Sequence, residues 1–357
     1  MALVTPFRAV RPQKKYAGEV ASFPYDVLDR EEGRAIVRDN PRNFLRVEKS
    51  EIDVPDEIRD DDPRVFARAR ENLRNFIGEG VLFQEEKPCL YVYRQKAAGR
   101  QQYGLVGCVS VAEYEAGLIK KHELTRVDKE NERVNHIETA GAQTGLVFLL
   151  YRSRKAIDRI IDAIVKAPPE YDFTTPDGVT HTAWVVCDDG TIDELKREFS
   201  KVECLYIADG HHRAASAATV ARMRRGRNPA HNGTEEYNTF VATLFSHEQL
   251  KILDYNRVVT DLQGMTGQGF LDRIGEKFIV TPGFLERSPS SPHQFGVYLQ
   301  GTWYRLEAKP TIYEKADLIG KLDVSILQDH LLGPVLGIKD PRTDDRIKFV
   351  GGIRGMD

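Results

Sequence analysis

A mixed α+β fold is what this sequence predicts, and three observations carry the prediction. Short apolar runs of strand length recur along the chain, among them residues 146–151, 182–187 and 205–209. Between them lie helical patterns with apolar stripes, such as Ile157, Ile160, Ile161 and Ile164. The 357 residues are 41% hydrophobic, enough for one large or two medium cores.

Taken in order, residues 1–60 read as irregular, punctuated by Pro6, Pro12, Pro24 and Pro41. Within them, Phe23-Pro24-Tyr25-Asp26-Val27 reads as an ordered turn whose aromatic rings pack onto something else. Asp62-Pro63 opens a helix carrying Val65, Phe66, Ala69, Leu73, Phe76 and Ile77 on one side, with Gly80 past its end. Residues 88–95 and 102–112 read as strands joined by a hairpin at Ala98-Gly99-Arg100. A strand at 146–151, a helix at 156–165 and a strand at 182–187 follow. Thr191-Ile192-Asp193-Glu194 reads as a capping box opening a helix through Phe199. Next come the strand ending at Asp209 and an alanine-rich helix running to Arg225, stopped by Gly226. Strands are expected at 240–245 and 251–259. The last hundred residues hold a helix (269–278), strands at 295–299 and 302–306, and a helix near 324–332. A strand then leads into Gly351-Gly352. With no repeat or long linker, the expected division is a main α/β domain over 1–260 carrying both polar motifs, and a C-terminal α+β extension over 261–357.

Charge narrows the function. With 51 basic and 54 acidic residues the net charge is -3, which argues against a chain whose work is coating nucleic acid. Cys89, Cys108, Cys187 and Cys204 form no CxxC pair and no zinc spacing, so they read as reduced core thiols. No apolar stretch reaches membrane-span length, and residues 1–16 lack an apolar segment with a cleavage site. The expectation is a soluble, cytoplasmic protein without membrane or nucleic-acid partners.

Polar chemistry is dense at two places. Asp209-Gly210-His211-His212-Arg213 packs a carboxylate, a glycine, two imidazoles and a guanidinium between a strand and a helix. Glycine lets the backbone turn sharply, the N–H groups opening the helix favour an anion, and Arg213 can fork onto phosphate oxygens. The plainer alternative is that Asp209 caps the helix and its neighbours line a wet loop. The second place runs from Lys120 to His136. There His122 and Glu123 can supply an acid–base group, while Arg126, Lys129 and Arg133 recur at three- and four-residue spacing, aiming cations along one helix face. The competing reading is a solvated helix laced with ion pairs. Adjacent histidines on a helix project about 100° apart, so His211 and His212 do not readily share a zinc ion. GxSxG, GxxxxGK[ST] and GxGxxG are all absent.

On Pro24-Tyr25-Asp26-Val27, the run from Cys89 to Gln95, His122-Glu123-Leu124-Thr125-Arg126 and Ala208 to Arg213, the chain resembles the domain-of-unknown-function family numbered 1015 over nearly its whole length. More distantly, Asp209 to Arg213 and His122-Glu123 resemble the phosphate-binding turn and catalytic His-Glu pair of free-serine kinases in the ParB/sulfiredoxin superfamily. That second resemblance implies a ParB/sulfiredoxin-like nucleotide-binding core with large insertions, one of them separating the two motifs. Sulfiredoxin needs a cysteine where His211 stands, so its redox chemistry is not implied.

The function expected is therefore a kinase that uses ATP or ADP with Mg2+ to phosphorylate a small-molecule hydroxyl, with free L-serine as the implied acceptor. Glu123 is the expected base, beside His122, and Asp209 the expected magnesium ligand. Gly210, His211, His212 and Arg213 form the phosphate cradle, joined by Thr125, Arg126, Lys129 and Arg133 in the nucleotide-binding set. A nucleotide-binding regulator without catalysis and a phosphate-ester or nucleotide hydrolase are the alternatives. Acceptor, nucleotide and oligomeric state are not legible.

Overall fold

The computed structural model describes residues 2–123, 125–341 and 343–351; Leu124 and Gly352 of the motifs above lie outside them. The chain divides into two compact units, Met1–Leu250 and Lys251–Asp357. The division after Leu250 lies ten residues before the boundary read from sequence, so the strand at Tyr255–Val259 falls in the second unit.

The first unit is built on a nine-stranded mixed sheet. Its strands in chain order are β1 (Val4–Thr5), β2 (Leu90–Ala97), β3 (Arg100–Ser110), β4 (Ile119–Lys120), β5 (Val147–Tyr151), β6 (Tyr171–Thr174), β7 (Thr180–Val186), β8 (Leu205–Asp209) and β9 (Thr239–Ser246). They lie in the order β4-β8-β5-β9-β3-β2-β7-β6, with β1 pairing with β3 beyond the end of β2. The β2–β3 hairpin turns at Ala98 and Gly99, both at positive φ, which matches the right-handed strand twist. Parallel pairing occurs at β4–β8 and β5–β9, so the sheet is mixed.

Among the described residues six longer helices belong to this unit: α1 (Arg30–Asp39), α2 (Pro63–Gly78), α3 (Val127–Ala140), α4 (Lys155–Ile164), α5 (Asp189–Phe199) and α6 (His211–Arg227). Helix α1 lies in the stretch expected to be irregular. It begins in a capping box, Asp29 accepting from the Glu32 N–H while Glu32 accepts from the Asp29 N–H. Helix α2 starts on Asp62 with Pro63 in its first turn, as the sequence predicts. Helix α4 buries Ile157, Ile160 and Ile161, each worth roughly 1.5–3 kcal/mol of apolar burial. The cap of α5 differs from expectation: Asp188 accepts from the Thr191 N–H, so the helix starts three residues before the presumed box. Helix α6 runs through Gly226 rather than stopping there. Its buried face consists mainly of Ala214, Ala215, Ala217, Ala218 and Ala221, whose short side chains let the helix lie close to its neighbours. Helix α3 packs on α6, and α2 on α3.

Cys89 and Cys187 correct the expectation of four reduced thiols. They flank the paired residues Leu90 and Val186 of β2 and β7 and are joined by a disulfide, Cα atoms 4.7 Å apart. Cys108 and Cys204 are free thiols, and burial pushes Cys108 up to about 11.

In the second unit, Phe278–Pro282, Gln294–Leu299 and Thr302–Ala308 form an antiparallel sheet around the last of these strands. Tyr255–Val259 pairs with Ile347–Gly351. Phe270, Ile274, Phe278, Leu306, Ile326 and Leu331 make its core. The expected helix at 269–278 spans Gly267–Gly275, and Phe278 already belongs to a strand. Among the described residues no helix is long and apolar enough to cross a membrane.

Candidate functional site

The site forms where β8 gives way to α6. Pairing between β8 and β5 shifts register between Ile207 and Asp209, a bulge that re-aims the end of the strand. Gly210 then takes φ +91, a left-handed conformation that a side chain resists, and serves as N-cap of α6. Asp209 therefore does not cap the helix. Among the described residues no side chain caps its first turn, so the opening N–H groups are available to an outside acceptor.

His211, first in the helix, is 4% exposed, whereas Glu123 is 60% exposed. Glu123 Oε2 stands 3.4 Å from His211 Nδ1, and the His122 ring meets the His211 ring edge-on with centroids 4.4 Å apart. Thus the two motifs, 88 residues apart (211 − 123), meet at one place. Burial, and after it the neighbouring His122, hold His211 below the usual histidine range against the opposing pull of Glu123 and Asp209.

The remaining predicted residues sort by what they touch. His212 turns away from His211 as helical geometry requires, its Nε2 accepting from the Arg126 N–H at 3.1 Å. It ties Arg126 to α6. Thr125 donates to Glu130, which also accepts from Thr219 on α6, a second tie between the same elements. Arg213 Nη1 donates to the Leu146 carbonyl at 2.9 Å.

The three cations expected on one face are not arranged so. Arg126 is the N-cap of α3, outside the helix, and pairs with Asp128. Lys129 pairs with Glu132. Arg133 is buried, with Glu132 at 3.0 Å and Glu48 at 3.4 Å. Spacing gave their positions but could not show the carboxylates already facing them.

Sequence reasoning missed Glu48 and gave Tyr25 no role beyond packing. The guanidinium of Arg133 lies 4.1 Å from the centre of the Tyr25 ring and that of Arg213 5.4 Å, so the turn at Tyr25 joins the two motifs' arginines. Next to them Glu48, Arg133, His136, Thr144, Gly145 and Arg213 line a cavity of about 20 Å3, room for a water molecule. A wider groove of about 510 Å3 between α4 and α5 contains none of the predicted site residues.

The family model described as Protein of unknown function (DUF1015) matches residues 4–325. The chain belongs to this family. The match takes in both motifs of this DUF1015 chain, and it extends into the second unit. No curated protein and no solved structure matches the chain.

Proposed function

We propose that this DUF1015 protein is a nucleotide-dependent kinase that phosphorylates the hydroxyl of a small molecule, free L-serine being the first acceptor to try. The observation that carries the reading is the 3.4 Å approach of Glu123 to His211, which sets a carboxylate beside the uncapped N-terminus of α6. Phosphoryl transfer asks for a phosphate cradle, a cation and a base for the attacking hydroxyl. The N–H groups following Gly210, together with Arg213, would take phosphate oxygens of ATP or ADP. Exposed Asp209 would hold Mg2+, which neutralises phosphate charge when bound. Glu123, exposed and beside the helix end, would accept the hydroxyl proton. The same meeting of motifs is what the resemblance to free-serine kinases calls for. His212 and Thr125 would act indirectly, by holding the Glu123 segment against α6.

The test is transfer of labelled phosphate from ATP or ADP, with Mg2+, to a panel of free amino acids and other small alcohols. Glu123→Gln should lose roughly 10²–10⁴-fold in turnover while keeping nucleotide affinity. Wild-type protein that binds nucleotide but transfers no more than the variant would end the kinase reading. Phosphate release without an organic acceptor would replace it with a hydrolase.

A further inference from the structure

His122, Glu123 and His211 each present a ligand atom, and these atoms all lie within 4.8 Å of one another. We propose that the three residues bind a divalent transition-metal ion of the zinc class, at a site separate from the magnesium expected at Asp209. The donor set decides the class. Two imidazoles and one carboxylate suit zinc and its first-row neighbours, whereas magnesium and calcium take oxygen ligands. Three protein ligands also leave a coordination position open for water or substrate.

Geometry supports the set independently. Ligand bonds of about 2.1 Å at tetrahedral angles put neighbouring donor atoms roughly 3.4 Å apart. Glu123 Oε2 and His211 Nδ1 stand at 3.4 Å, longer than a good charge-assisted hydrogen bond and matched to a shared ion. His122 and Glu123 are exposed, so side-chain rotation can close the remaining distances without moving the backbone. His211 is the fixed ligand: it is buried, and Nδ1 is the ring nitrogen that faces Glu123.

A cation at the start of α6 faces the positive end of the helix dipole. The carboxylates of Glu123 and Asp209, both acting on His211, offset that field. The assignment does not rest on phosphoryl transfer, and it is compatible with it, because a carboxylate has two oxygens and can ligate with one while the other accepts a proton.

The test is titration of metal-free full-length protein with Co2+, followed by visible absorption, and equilibrium dialysis against Zn2+ without nucleotide. One ion per chain with ligand-field bands is expected. His122→Ala and Glu123→Gln should each weaken binding at least roughly tenfold, since loss of a direct ligand exceeds the effect of losing its supporting contacts. His247→Ala should bind as wild type does. Both ligand substitutions are at exposed positions, and an unchanged circular dichroism spectrum verifies that they fold. Wild type without stoichiometric Co2+ or Zn2+, or His122→Ala with wild-type affinity, overturns the assignment. Neither readout involves nucleotide, so a failed kinase assay leaves this result standing, and the reverse.

Discussion

Replacing Arg133 with methionine separates a structural arginine from a phosphate ligand. Its guanidinium is about 10% exposed and lies between Glu48, equally buried, and Glu132, over the ring of Tyr25. Glu48 Oε1 has no hydrogen-bond partner, so its carboxylate depends on this arginine for compensation. Removing one partner of a buried pair costs roughly 3–5 kcal/mol, because the other charge stays behind in low dielectric. At roughly 2–4 °C per kcal/mol for a unit of this size, Arg133→Met should melt about 6–20 °C below wild type. Adding Glu48→Met should recover much of that loss, since a well-packed apolar pair is often as stable as the ion pair it replaces. The assay is a double-mutant cycle by thermal and urea denaturation. If the double variant shows the sum of the two single losses, the pair is not coupled and the reasoning fails. If Arg133→Met keeps its melting temperature and loses nucleotide affinity, Arg133 is the phosphate ligand that its spacing predicts.

Two further outcomes follow from the same region. Gly210→Ala should destabilise by about 1–2 kcal/mol in urea denaturation, because φ +91 disfavours a side chain, while the added Cβ would meet Val147 at an ordinary 3.4 Å; a stabilised variant, as glycine-to-alanine gives at unstrained positions, would contradict this. Burial, reinforced by Arg133, holds His136 below its usual 6.5, with Glu48, Glu132 and the Val47 carbonyl pulling the other way. The unfolded chain therefore takes the proton first, so the contribution of His136 to stability is whole above about pH 6.5 and falls as pH drops below it. Urea unfolding between pH 7.5 and 5.5 should show a weaker pH dependence in His136→Asn, and an equal slope would refute the assignment.

Local signals suffice where one element explains its own residues. The proline-started α2, the isoleucine stripe of α4 and the turn at Ala98-Gly99 each obey a rule acting over a few residues. Helix α1 is legible too: Asp29 and Glu32 form a capping box, a signal masked by the prolines before and after it. The disulfide is a different case. Cys89 and Cys187 are 98 residues apart and become neighbours only through the Leu90–Val186 pairing, which no local pattern announces.

The site divides along the same line. Gly210 and the uncapped start of α6 follow from the strand–glycine–helix order, and those features are where the sequence placed them. Which charges remain for a ligand depends on partners far along the chain: Glu48 lies 85 residues from Arg133, and His211 lies 88 residues from Glu123. In the first case a non-local contact neutralises a residue that looked functional. In the second it brings a carboxylate and two imidazoles together, although His211 and His212 considered alone argued against a metal. Charge density in a sequence thus marked two stretches that the fold brings together, while the fold determined which of their side chains are already partnered within the chain.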